Sequence, residues 1–154
     1  VLIGMPGCGK STIGRILAEK LGRNFIDSDS IIEEKIGKPI SEFLNTDNEQ
    51  EFRKIETAVL EELGKQTGLV IATGGGCVTI KENLPLLRQN GKIIWIRRDI
   101  SSLSLGGRPL SQKMNLTEMY RIRQPLYEFF SDFAVENSIS IEDTVQTILN
   151  EVCL

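Results

Sequence analysis

Residues 4–11 read Gly4-Met5-Pro6-Gly7-Cys8-Gly9-Lys10-Ser11, the G-x-x-x-x-G-K-[ST] pattern of a loop that cradles phosphates. The chemistry follows from the residue types. Glycines adopt conformations that a Cβ forbids, so several backbone N–H groups can converge on one anion. A helix starting at the loop would add the positive end of its dipole. Lys10 is spaced to reach the β- and γ-phosphates of a nucleotide, and the Ser11 hydroxyl to ligate Mg²⁺.

Other groups along the chain could take part in chemistry. Asp27 and Asp29 are two apart, so in extended backbone they would point to one side. One could help hold the metal and the other could accept a proton from a hydroxyl nucleophile. A turn or helix cap accounts for an Asp-Ser-Asp run equally well. Arg53 lies at helical contact distance from Glu49 and Glu56, the spacing of a solvated ion-pair face. The run Gly74-Gly75-Gly76 is either a turn or a place where backbone must approach something closely. Arg108, behind Gly106 and Gly107, could ride on a closing loop and bring a cation to a transferring phosphoryl group. Arg121 and Arg123 suit a carboxylate partner, or plain solvent. Histidine is absent, which excludes His-based triads and His metal sites.

These groups need elements to position them. Val1–Ile3 reads as a strand leading into the glycine loop, and Ile13, Ile16, Leu17 and Leu21 give Thr12–Leu21 a helical period ended by Gly22. Asn24–Ser28 reads as a second strand, Ser30–Ile36 as a helix broken by Gly37-Lys38-Pro39, and Ser41–Leu44 as a short helical piece. Asn48–Leu63 is the clearest long helix, with Phe52, Ile55, Val59, Leu60 and Leu63 on one side. Strands are expected at Leu69–Ala72, Lys92–Ile96 and Phe133–Val135, and a helix at Lys81–Gln89. Leu103–Leu116 reads as irregular, Thr117–Phe130 as a helix disturbed by Pro125, and Ser140–Val152 as a helix opened by a Ser140-x-x-Asp143 capping box. Apolar strands alternating with helices imply an α/β fold with a parallel sheet covered on both faces. Ligands gather at the carboxyl ends of such strands, where the phosphate loop, Asp27-Ser28-Asp29 and the glycine triplet would meet.

At 154 residues, 40% hydrophobic and 25% charged, the chain is expected to fold as one domain, 1–154, around a real core. A net charge of −3 provides no basic field for nucleic acid. No apolar run reaches membrane-span length, and no leader segment is evident. The first residue is Val1 on a strand rather than Met, so a few preceding residues are expected to be missing. Cys8, Cys77 and Cys153 are odd in number and widely spaced, which suggests reduced thiols in the cytoplasm and, for Cys8 and Cys77, small packing residues.

Taken in order, Gly4-x-x-Gly7-x-Gly9-Lys10-Ser11, Asp27-x-Asp29, Phe52-Arg53-x-x-Glu56, Gly74-Gly75-Gly76-x-Val78, Arg108-Pro109-Leu110 and Arg123-x-Pro125-Leu126-Tyr127 resemble the shikimate kinase family over essentially the whole chain. The resemblance implies a three-layer P-loop NTPase fold of the nucleoside-monophosphate-kinase type, with a five-stranded parallel sheet in order 2-3-1-4-5. It implies transfer of the ATP γ-phosphate to the 3-hydroxyl of shikimate by a cytoplasmic monomer, with Mg²⁺ and no nucleic-acid or membrane partner.

By the matching positions, the nucleotide would be held by Gly7, Cys8, Gly9, Lys10, Ser11, Thr12 and Arg108. Shikimate would be held by Asp29, Arg53, Gly74, Gly75, Gly76 and Arg123. Lys10, Asp29 and Arg108 would be catalytic, and Ser11, with Asp27 through water, would hold the metal. A shikimate-binding region at about 29–56 and a mobile lid at about 103–115 follow from the same resemblance. The chain departs from the family in two places. Ser101–Leu105 has no lid arginine, and Asn137-Ser138-Ile139-Ser140 has no adenine-loop proline, so adenine contacts are not assigned. Other small-metabolite P-loop kinases and a non-catalytic nucleotide-binding module remain the alternatives.

Overall fold

The computed structural model describes residues 1–45, 47–103 and 110–153, with backbone alone over 110–114. Five strands form one sheet: β1 (Leu2–Ile3), β2 (Asn24–Asp27), β3 (Leu69–Ala72), β4 (Ile94–Arg97) and β5 (Phe133–Glu136). Their order is β2-β3-β1-β4-β5 and every pairing is parallel, as the sequence led us to expect. The central strand is short, and both its residues, Leu2 and Ile3, are fully buried. Since successive side chains leave a strand on opposite faces, burial of both shows that the sheet is covered on each side.

The helices are α1 (Lys10–Leu21), α2 (Ser28–Ile36), α3 (Ile40–Leu44), α4 (Glu49–Gly64), α5 (Asn83–Arg88), α6 (Leu110–Phe130) and α7 (Ile141–Val152). One core gathers Ile13 and Leu17 of α1, Trp95 of β4, Tyr127 and Phe130 of α6, and Val145 and Ile148 of α7. A smaller core joins Ile32 of α2 to Phe52, Val59 and Leu63 of α4 and Ile71 of β3. Trp95 and Tyr127 stack with ring centroids 5.7 Å apart, tying α6 to β4. Serine 140 caps α7 by accepting from the Asp143 N–H at 3.1 Å, as the capping box predicts.

Register decides where the loops emerge. Leu2 pairs with Ala72 and Ala72 with Asp27, so the residues after β1, β2 and β3 leave the sheet at one level. The glycine loop, the Asp27–Asp29 turn and the glycine triplet therefore share one rim.

One local reading needs correction. Leu103–Leu116 was expected to be irregular, but from Leu110 the backbone is helical. In sequence, Pro109 directly ahead of Leu110 is a helix-start signal, and Gln112, Lys113 and Met114 are good helix formers; the loop signal of Gly106 and Gly107 ends before them. Residues 104–109, with Arg108, lie outside the described residues. Pro125 lies within α6, as expected of a helix that reaches Phe130. The helix runs on to Phe130, because the proline removes only the N–H that would bond the carbonyl of exposed Arg121, while buried Tyr127 and Phe130 anchor the next turn.

Gly64, buried in the last turn of α4, is where α4 meets α5: a Cβ there would run into the Leu86 carbonyl. Gly to Ala within a helix ordinarily gains about 1 kcal/mol. Here overpacking of about 1–3 kcal/mol should outweigh it. Gly64→Ala is expected to lower the urea midpoint, and a raised midpoint would show that this helix contact is loose.

Candidate active site

Helix α1 begins inside the motif itself. Its cap is Gly9, at φ +102°, and no side chain caps it, so the N–H groups of its first turn are free for an anion. The expected start at Thr12 moves back to Lys10, placing Lys10 and Ser11 on that first turn. Lys10 is only 8% exposed. Its Nζ donates to the carbonyls of Gly4 at 2.8 Å and Met5 at 2.9 Å, and lies 3.7 Å from Cys8 Sγ. The ammonium is thus held at the loop by the loop's own backbone.

Asp27 ends β2 and caps α2. One carboxylate oxygen accepts from the Asp29 N–H at 3.0 Å, and the other accepts from the Ser11 hydroxyl at 2.7 Å. The cap reading and the metal-site reading are therefore both satisfied by one side chain. Extended backbone is not what brings Asp27 and Asp29 together, as i, i+2 spacing suggested: the chain turns at Asp27, and Asp29 lies in the first turn of α2. Burial, reinforced by the charges of Asp27 and Glu56, raises the Asp29 carboxyl from 3.8 to about 6.

Arg53 does not belong to a solvated ion-pair face. Its Nη1 lies 2.8 Å from Oε1 of Glu56, which is 1% exposed, while Glu49 is a looser partner at 3.8 Å. The other Glu56 oxygen, Oε2, is buried without a hydrogen bond among the described residues, and burial raises the Glu56 carboxyl against the pull of Arg53. Arg121 makes a surface pair with Glu118, while Arg123, half a turn away, faces the cleft.

The glycine triplet is where these groups converge. A Cβ on Gly74 would lie 2.8 Å from Asp29 Oδ1, one on Gly75 2.8 Å from Pro6 Cδ, and one on Gly76 would collide with the Arg53 guanidinium. None of the three has a positive φ. Their lack of side chains serves close approach by Asp29, Pro6 and Arg53. Tyr127, which sequence reading left as a motif letter, donates its hydroxyl to the Gly75 carbonyl at 2.6 Å, and burial raises its pKa and keeps it a donor.

Gly7, Gly9, Lys10, Ser11, Thr12, Asp27, Asp29, Arg53, Gly74, Gly75, Gly76 and Arg123 all line one cleft of about 800 Å³, within the range of small-ligand sites. A hollow of about 320 Å³ at the opposite end of the sheet is lined by Leu17, Leu63 and Leu87 and has no such convergence of charge. Cys8 sits beneath the loop, fully buried, with its N–H donating to Met5 at 3.2 Å. Cys77 is likewise buried, its thiol pushed up to about 12 by burial, as suits a packing residue. Arg98, Met119 and Asn137 also line the cleft, and sequence reading gave none of them a role; Glu56, read only as a partner of Arg53, lines it too. Arg98 and Asn137 each follow the end of a strand, a position that could have marked them.

A family model described as shikimate kinase matches residues 6–153. Among curated relatives, shikimate kinase of Clostridium botulinum is 42% identical over 153 residues, covering 96% of this chain and 92% of its own. That of Vibrio parahaemolyticus is 38% identical over 160 residues, covering 98% and 91%. Among solved structures, shikimate kinase from Acinetobacter baumannii in complex with shikimate superposes with a TM-score of 0.89 at 37% identity, covering 99% of this chain and 90% of that one.

The raised Asp29 pKa has a stability consequence. Below pH 3.8 the carboxyl is protonated in both folded and unfolded chains, and nothing is lost. As pH rises through about 6 the folded protein must hold a charge the unfolded chain carries more easily, so stability falls. In the ligand-free protein, Asp29→Asn should raise stability near neutral pH by the order of 1–3 kcal/mol, and the gain should fade on acidification. Urea titration of both proteins across pH measures this; a neutral or lower stability of the variant near pH 7 would contradict the assignment.

Proposed function

The chain belongs to the shikimate kinase family, as an ATP-dependent kinase acting on shikimate in aromatic biosynthesis, and we propose that the cleft at the loop rim holds both substrates with the following division of labour. The loop from Gly7 to Thr12 and the Lys10 ammonium grip the nucleotide's phosphates. The Arg53 and Arg123 guanidiniums take the carboxylate of shikimate, and the acid-binding region runs from about Asp29 to Glu56. Asp29 binds its hydroxyls and accepts the proton of the 3-hydroxyl as that oxygen attacks the γ-phosphate. A carboxyl raised to about 6 is still ionised at neutral pH and more basic than an ordinary one, which suits the task. Backbone of Gly74, Gly75 and Gly76 completes the acid's side of the cleft.

A divalent ion, which we take to be Mg²⁺, fits the donors present. The hard oxygens of Ser11 and Asp27 already stand 2.7 Å apart, and phosphates and water would supply the remaining ligands. Ser11 would hold the ion directly and Asp27 through water. Bound there, it would neutralise charge on the β- and γ-phosphates. Arg108 is assigned the cation of the transition state on the family resemblance alone. The same resemblance supports a cytoplasmic monomer, and the free thiols of Cys8, Cys77 and Cys153 fit a reducing compartment. Among the described residues no helix is long and apolar enough to cross a membrane.

The observation that carries this reading is the convergence of Lys10, Asp29, Arg53 and Arg123 on one cleft. ADP release measured with shikimate, gluconate and nucleoside monophosphates tests it: turnover should depend on shikimate, and none with shikimate would defeat it. Arg123→Ala should raise the shikimate KM by about tenfold or more, the scale of a lost charge-assisted pair, with the ATP KM nearly unchanged. Equal rises in both would contradict the carboxylate assignment.

A further inference from the structure

Asn137 follows β5 directly and is 7% exposed. Its backbone N–H bonds the Arg97 carbonyl at 2.8 Å, which fixes it to the end of β4. Its side-chain Nδ2 donates to the carbonyl of Cys8 at 2.9 Å, across 129 residues of sequence. The same nitrogen lies where a Cβ on Gly9 would come within 2.7 Å of it. The amide is therefore wedged against the two loop residues that precede Lys10. Its orientation is determined: a carbonyl only accepts, so nitrogen must face Cys8. The oxygen is left toward Thr144, whose hydroxyl is 3.3 Å away but closer, at 2.9 Å, to the Ser140 carbonyl.

We propose that Asn137 is a positioning residue that locks the Cys8–Gly9 peptide in the orientation needed to bind the nucleotide's phosphates. In a trans peptide the C=O and N–H point in opposite directions. Tying the Cys8 carbonyl to Asn137 turns the Gly9 N–H the other way, out of the loop's buried side. Gly9, at φ +102°, has no Cβ to resist rotation of this peptide on its far side. Rotated, it would present a carbonyl oxygen to an anion in place of a donor. Asn137 supplies the restraint that Gly9 cannot. This inference rests on the reading that the glycine loop takes ATP.

Two variants separate positioning from general support. Asn137→Asp keeps the shape, loses the donor and adds a negative charge; Asn137→Leu keeps the approximate volume and has no polar atom. Affinities for ATP and for shikimate are measured by equilibrium binding on the purified full chain, with melting temperature followed alongside. The ATP Kd should rise about tenfold in the leucine variant and further in the aspartate variant, with the shikimate Kd within about twofold of wild type. Where a variant is less stable, the shift in melting temperature on adding each ligand gives the same comparison: a small shift with ATP and a full one with shikimate. Parallel weakening of both ligands, or unchanged ATP binding in stably folded variants, overturns the proposal. Failure of the wild type to bind ATP would instead overturn the reading beneath it.

Discussion

Parallel pairing of β1 with β3 and of β3 with β2 is the constraint on which everything else depends. It brings Leu2, Ala72 and Asp27 to one level, and the chain must then leave all three strands on the same side. What leaves is a phosphate loop, an acidic helix cap and three glycines. Carboxylates of Asp27, Asp29 and Glu56 face cations of Lys10, Arg53 and Arg123 around one cleft. Such a concentration of half-buried charge is costly unless each group is partnered. The partners are specific: backbone carbonyls for Lys10, Ser11 and an N–H for Asp27, and Arg53 for Glu56. Asp29 is the least well compensated, and its raised pKa expresses that.

Packing around the site is organised by missing side chains. With Cβ atoms at 74, 75 and 76, Asp29, Pro6 and Arg53 could not hold their places. Tyr127 then fixes the same segment from below through the Gly75 carbonyl, and its stacking on Trp95 links that restraint to β4. Rigid elements thus hold a loop rich in conformationally free residues, the arrangement a preorganised electrostatic site needs. Asn137 does for the Cys8 carbonyl what Tyr127 does for that of Gly75.

Much of this was legible in the sequence, for physical reasons. The phosphate loop is read from eight residues because its chemistry tolerates few substitutes at Gly9, Lys10 and Ser11. Runs such as Leu69–Ala72 stand out because a strand buried on both faces must be apolar throughout. Arg53 was harder. Its i, i+3 acid on a helix looks the same in solvent as in a cleft, and only burial of Glu56 distinguishes them. Asp29 was found for a partly wrong reason, since spacing cannot tell an extended pair from a cap followed by a helical turn. Tyr127 and Asn137 act across 52 and 129 residues of chain; a lone aromatic in a helix or a lone Asn after a strand carries no local sign of a distant carbonyl partner.

The central claim is that phosphates and acid meet across the rim shared by Lys10 and Asp29. A crystal structure with a non-hydrolysable ATP analogue and shikimate tests it most directly. Lys10 Nζ should have left the Gly4 and Met5 carbonyls for the terminal phosphate, and the Asp29 carboxylate should stand within hydrogen-bonding distance of the shikimate 3-hydroxyl. Shikimate bound with that hydroxyl turned away from Asp29, or a nucleotide whose phosphates avoid Lys10, would contradict the account.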